Sequence, residues 1–183
     1  EKGRQGGVDA ILGMDAYVGP RDPRTRGAAA PGTKAYYHLV VLARDMVGYK
    51  KLVKLTSLAY TEGFYGKPRI DRELLARHSE GLIISSACLA GEVASHLMEN
   101  RDAEAREAAE WYANVFDGRY YLEVQAHNSD GQAPLNKKLF SLADSLGLPV
   151  VATNAPTFLR PEEHHPHHRM LCTGCGEARS DPR

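Results

Sequence analysis

Apolar residues recur along this chain at two different periods. Between residues 47 and 60 they fall at Leu52, Leu55, Leu58 and Ala59, interleaved with Lys50, Lys51 and Lys54. That spacing predicts an amphipathic helix whose lysines form a solvated, solubilising face. Residues 36–43 are dense in aromatic and β-branched side chains and predict a strand. Shorter apolar runs at 8–12, 81–86 and 149–153 read as buried strands, and 120–125 alternates as another. Helices are expected at 72–78 behind the capping residue Asp71, at 91–100, at 102–116, and at 132–146, ending near Gly147. A last helix is expected from Pro161, a residue suited to the first helical turn. Residues 19–34, rich in Pro, Gly, Arg and Ala, read as a mobile loop, and no internal repeat is present.

Strands alternating with helices imply parallel pairing and an α/β fold. Chemistry in such folds gathers at the carboxyl ends of the strands. The residues expected there are Asp15, Cys88, His127 and the stretch 154–157, with His38 inside a strand. Asp, Cys and His are metal-ligand types.

Composition narrows the class. The 183 residues, 43% hydrophobic and 25% charged, suit one globular domain. Basic and acidic side chains balance at 23 each, which argues mildly against a free-standing nucleic-acid binder. Three cysteines, Cys88, Cys172 and Cys175, make no disulfide framework and fit a reducing compartment. No apolar run is long enough for a membrane helix and no signal pattern opens the chain, so a cytoplasmic location is expected. The chain lacks an initiator Met and stops at Ser-Asp-Pro-Arg, so it reads as cut from something longer.

Several stretches resemble, in order, the PHP (polymerase and histidinol phosphatase) domain of bacterial replicative DNA polymerase III alpha subunits. They are Gly-Met-Asp-Ala-Tyr-Val (13–18), Tyr-His-Leu-Val-Val-Leu-Ala-Arg-Asp (37–45) and Gly-Tyr-Lys-Lys-Leu-Val-Lys-Leu (48–55). Glu-Gly-Phe-Tyr-Gly-Lys-Pro-Arg-Ile-Asp (62–71) is the most specific of them. Ser-Ala-Cys-Leu-Ala-Gly-Glu-Val (86–93), Tyr-Leu-Glu-Val-Gln (121–125) and Val-Ala-Thr-Asn (151–154) continue the series. The tail from 172 to 183 resembles the connection toward the polymerase palm.

The resemblance implies that residues 1–183 are one PHP domain: a distorted (β/α)7 barrel lacking its first strands here. It implies a parent DNA-directed DNA polymerase, a nucleotidyltransferase whose palm carboxylates lie beyond Arg183. Its partners would be the rest of the alpha subunit, a proofreading exonuclease, a sliding clamp and, through the parent, DNA. The barrel mouth of the family holds His, Asp, Glu and Cys ligands for Zn, Mn or Mg, in some members with 3′–5′ exonuclease activity. Neighbouring divalent ions suit that reaction by generating hydroxide and clamping both reacting oxygens.

Carried over residue by residue, the site is incomplete. The family's first His-x-His pair, its following Asp and its next His would lie before Glu1. Asp15 stands for the family's Glu, one methylene shorter; His38 matches its His; Cys88 matches the Cys many alpha subunits carry. The family's closing Asp-x-His falls on Ala155 and Thr157, which removes a carboxylate and an imidazole. A degenerate, mainly structural site is the reading this favours over an active exonuclease or a stand-alone phosphatase. The His164-His165-Pro166-His167-His168 tract reads as a solvated helix face, Cys172-x-x-Cys175 as incidental, and His127 as a hydrogen-bonded rim residue. Lys67 and Arg69, beside Phe64 and Tyr65, read equally as a phosphate or base contact and as loop packing.

Overall fold

The computed structural model describes residues 2–19, 34–126, 131–154 and 156–175. The chain divides into two units, residues 1–153 and 154–183.

In the first unit a short helix α1 (Lys2–Gln5) precedes β1 (Gly13–Gly19) and β2 (Tyr37–Ala43). Then follow α2 (Met46–Thr61), the hairpin β3 (Phe64–Tyr65) and β4 (Lys67–Asp71), α3 (Arg72–Arg77) and β5 (Leu82–Ser85). Helices α4 (Glu92–Met98) and α5 (Asp102–Val115), β6 (Tyr120–Gln125), α6 (Gln132–Leu146) and β7 (Val150–Thr153) complete it. The second unit holds a 3-10 turn (Pro161–Glu163) running into α7 (His164–Cys175).

The described strands form one sheet in the order β3-β4-β1-β2-β5-β6-β7. β1, β4, β5, β6 and β7 run one way, whereas β2 and β3 run the other. The fold is thus mixed α/β, and uniform parallel pairing is corrected at β2. The sequence between β1 and β2 carries no helical periodicity, and a parallel return needs a crossover that is usually a helix. Among the described residues the sheet ends on β3 and β7.

The expected strand at 8–12 is also corrected. Those residues lie outside any strand, with Val8 63% and Ile11 73% exposed, and β1 starts at Gly13. The apolar run is too short to pair and bury both faces. Asp15 therefore lies inside β1 rather than after it. The 62–71 signature, unassigned by periodicity, folds as the β3–β4 hairpin around Gly66, whose positive φ of 68° suits glycine.

One face of the sheet is buried by the helices. Ala16, Val18, Leu39, Val41, Ile70, Leu82, Ile84, Tyr120 and Leu122 pack there against Leu52, Leu55, Leu75, Leu139 and the alanines of α5. In α2 the predicted Leu52, Leu55 and Ala59 are buried and Leu58 is half-buried. Lys50 and Lys54 are exposed, and Lys51 reaches Glu80 at 3.8 Å. The start of α2 passes so close to the turn before β5 that a Cβ on Gly48 would stand 1.9 Å from the Gly81 carbonyl oxygen. That atom is backbone, so the helix itself has to move. Gly48→Ala should cost about 2 kcal/mol, read as a lower urea midpoint at unchanged slope.

Asp45 caps α2 by accepting from the Gly48 N–H at 2.9 Å, which holds its carboxyl below the usual range. Asp71 caps α3 as expected, accepting from the Leu74 N–H at 2.6 Å.

Candidate functional site

Strand alternation puts a second set of side chains on the sheet face away from the helices. In β1, Ala16 and Val18 turn into the core, so Asp15 and Tyr17 turn the other way. In β2, Leu39 and Val41 are buried, which sends His38 and Val40 to the same face as Asp15. The antiparallel register sets Tyr17 opposite His38 and Asp15 opposite Val40. Asp15 and His38 are thus diagonal neighbours, and His38 Nδ1 stands 3.2 Å from Asp15 Oδ2. The imidazole is further held by Tyr17, whose ring meets it edge-on at 5.1 Å.

Because β2 runs against its neighbours, His38 near its amino end lies level with the carboxyl ends of β1 and β5. The His38 N–H donates to the Ala90 carbonyl at 3.0 Å, and His38 pairs with Gly91 across a parallel bridge. The Gly91 N–H in turn donates to the Cys88 carbonyl at 2.8 Å. The loop carrying the half-buried thiol of Cys88 is therefore tied to the His38 backbone. Gly91 is required there, since a Cβ would stand 2.1 Å from the Ser86 carbonyl oxygen.

The structure thus pairs Asp15 with His38 and places Cys88 in the adjoining loop. Among the described residues, however, no three His, Cys, Asp or Glu side chains group as a metal site. A paired nitrogen and oxygen fall short of the four ligands of zinc or the octahedral set of Mg or Mn. The described residues do not by themselves fit such an ion. Ala155 and His127 lie outside the described residues, while Thr157 is exposed in the second unit.

The sequence reading passed over two buried carboxylates. Glu123, in β6, is 6% exposed and accepts hydrogen bonds from the hydroxyls of Ser85 and Thr153 and from Gln125 Nε2. It ties β5, β6 and β7 together on the face opposite the core. The available signal was a lone acid in Tyr-Leu-Glu-Val-Gln, a strand otherwise free of charge. Glu92, opening α4, accepts from Arg72 at 2.8 Å and from the Tyr112 hydroxyl at 3.0 Å. Arg72 lies over the rings of Trp111 and Tyr112, at 4.9 and 5.6 Å. Burial, reinforced by the Glu92 charge, pushes the Tyr112 phenol well above its ordinary pKa, so it stays a donor.

Lys67 and Arg69 occupy alternate positions of β4. The Lys67 ammonium lies 5.5 Å from the Tyr17 ring, and the Arg69 guanidinium 5.2 Å from the Tyr65 ring. In the second unit the histidine tract opens α7; His164 packs against His165 and His168, and Phe158 against His164 and His167. Cys172 lies on α7.

The mixed sheet with helices packed on one face makes this an α/β protein, and family comparison narrows the class. Residues 1–127 match the PHP domain, and the chain belongs to that family. It is 42% identical over 177 residues to the DNA polymerase III subunit alpha of Treponema pallidum, covering 96% of this chain and 15% of that protein. The subunit of the same name from Deinococcus radiodurans is 41% identical over 166 residues, covering 90% of this chain and 12% of its own length. That of Thermus aquaticus is 39% identical over 178 residues, covering 96% and 14%. The chain thus spans about one seventh of the length of these relatives.

Proposed function

We propose that this chain is the PHP portion of a replicative DNA polymerase III alpha subunit, acting in DNA replication as a structural and interaction module. The observation that carries this is the match of alpha subunits to 90–96% of the chain at 39–42% identity. In this reading the sheet belongs to a distorted (β/α)7 barrel, and strands beyond this sequence complete it. Five co-directional strands with helices packed on one face support that architecture.

Asp15, His38 and Cys88 are then remnant ligands at the barrel mouth, with Ala155 and Thr157 at positions that have lost their donors. The reading of a degenerate centre rests on Ala155 and Thr157, where the family's carboxylate and imidazole are replaced. An active 3′–5′ exonuclease is the alternative, and requires ligands from outside the described residues. The parent would act in the cytoplasm with the rest of the alpha subunit, a proofreading exonuclease, a sliding clamp and DNA. No helix among the described residues is long and apolar enough to cross a membrane.

Sequencing the gene on both sides tests the assignment. The reading frame should carry a His-x-His motif upstream and continue downstream into a palm with paired Asp residues for two-metal nucleotidyl transfer. A stop codon shortly after the Arg183 codon would contradict it.

A further inference from the structure

The outer side of α2 is not the polar surface that its lysines lead one to expect. Its inner side packs Leu52, Leu55 and Ala59 into the core. Met46, Tyr49, Val53 and Tyr60 form a second apolar row at helical spacing, and all four are exposed, Met46 at 66% and Tyr60 at 61%. The row runs about 20 Å along the helix. Phe64, stacked on Tyr60 at 6.2 Å, prolongs it, and a cleft of 480 Å³ opens there, lined by Tyr60, Phe64 and Tyr65. Single apolar side chains are ordinary on a surface, whereas a row of them at helical spacing marks a face built to be covered. Lys50 and Lys54 stand exposed beside the row. Lys51 is answered by Glu80, but Lys50 and Lys54 make no ion pair among the described residues, and α2 itself contains no Asp or Glu.

We propose that this side of α2 seats a surface of the polypeptide that follows Arg183 in the parent alpha subunit, apolar at its centre and acidic at its rim. The proposal rests on the polymerase reading and adds to it the place and the chemistry of the contact. The relatives are about seven times as long as this chain, so ample polypeptide lies outside the structure to cover the row. Attachment through the same chain holds that surface at a high effective concentration. Permanent interfaces are also the apolar ones, while transient partners meet more polar surfaces. Carboxylates at the rim of the covering surface complete Lys50 and Lys54, whose charge nothing within α2 answers. Charge also disfavours a second copy of this chain, because two α2 faces brought together oppose lysine to lysine. α2 packs on the sheet face opposite the one that bears Asp15 and His38, so the contact is independent of the metal centre.

The test uses the full-length gene product, labelled with a maleimide at Val53→Cys or, separately, Tyr49→Cys, and read by peptide mass so that the native cysteines are followed apart. Each introduced thiol should react at least about tenfold more slowly in the folded protein than in urea, because a covered side chain reacts only through local opening. A carbodiimide, which joins an ammonium to a carboxylate in direct contact, should link Lys50 or Lys54 of the wild type to an Asp or Glu beyond Arg183. Labelling at the unfolded rate overturns the proposal, and so does protection without a cross-link beyond Arg183. Cross-links that instead reach residues before Glu1, a second copy of the chain or a separate subunit assign the face to another occupant and overturn it equally. A reading frame that stops after Arg183 overturns the polymerase reading first, and sequencing alone tells that failure from this one.

Discussion

Glu92→Ala should lower the stability of the chain by about 4 kcal/mol, the scale expected when one partner of a buried ion pair is removed. The carboxylate is 9% exposed and joins three helices, since Arg72 belongs to α3, Glu92 to α4 and Tyr112 to α5. Its loss strands the Arg72 guanidinium over two aromatic rings and leaves the buried Tyr112 hydroxyl without its acceptor. The Tyr112 hydroxyl, on a residue 1% exposed, cannot turn to water without opening the packing of α5, whereas the Arg72 side chain, 30% exposed, can do so in part. Urea unfolding followed by circular dichroism reads the effect as a shift in midpoint. The combination Arg72→Met with Glu92→Leu should recover most of the loss, because it removes both charges together. A single variant within about 1 kcal/mol of wild type would mean that the network contributes little.

The contrast between Glu92 and Asp15 shows what the sequence could reveal. Local patterns were legible: α2 and α6 follow their apolar spacing, Asp71 caps α3, and Gly147 ends α6 with a φ of 64°. Strand direction was not, because it depends on how the chain returns between elements, and β2 consequently runs opposite to expectation. The reversal decides the candidate site, for it brings His38 at the amino end of β2 level with the strand ends that carry Cys88 and Tyr17. Asp15 and His38 were legible as residue types, yet their meeting depends on a diagonal register that no local pattern encodes. Glu92 and Glu123 escaped notice for the opposite reason. Charged residues ordinarily read as surface, and only tertiary packing shows that these are buried. Lys67 and Arg69 were singled out for their aromatic neighbours, and the structure adds the missing hydrogen bonds of Arg69.

The second large effect concerns the metal centre. Restoring a carboxylate and an imidazole through Ala155→Asp with Thr157→His should raise affinity for Zn or Mn by about 100-fold or more. An anionic oxygen and an imidazole are strong donors for these ions, whereas Ala has none and a Thr hydroxyl is a weak one.

Metal content and hydrolysis of single-stranded DNA, measured side by side on the full-length gene product and on its Ala155→Asp, Thr157→His variant, test the central claim most directly. A degenerate centre predicts substoichiometric metal and no hydrolysis from this site in the wild type, with a clear rise in bound Zn or Mn in the variant. A wild-type protein that already holds a full metal complement and degrades DNA through Asp15, His38 and Cys88 would contradict it.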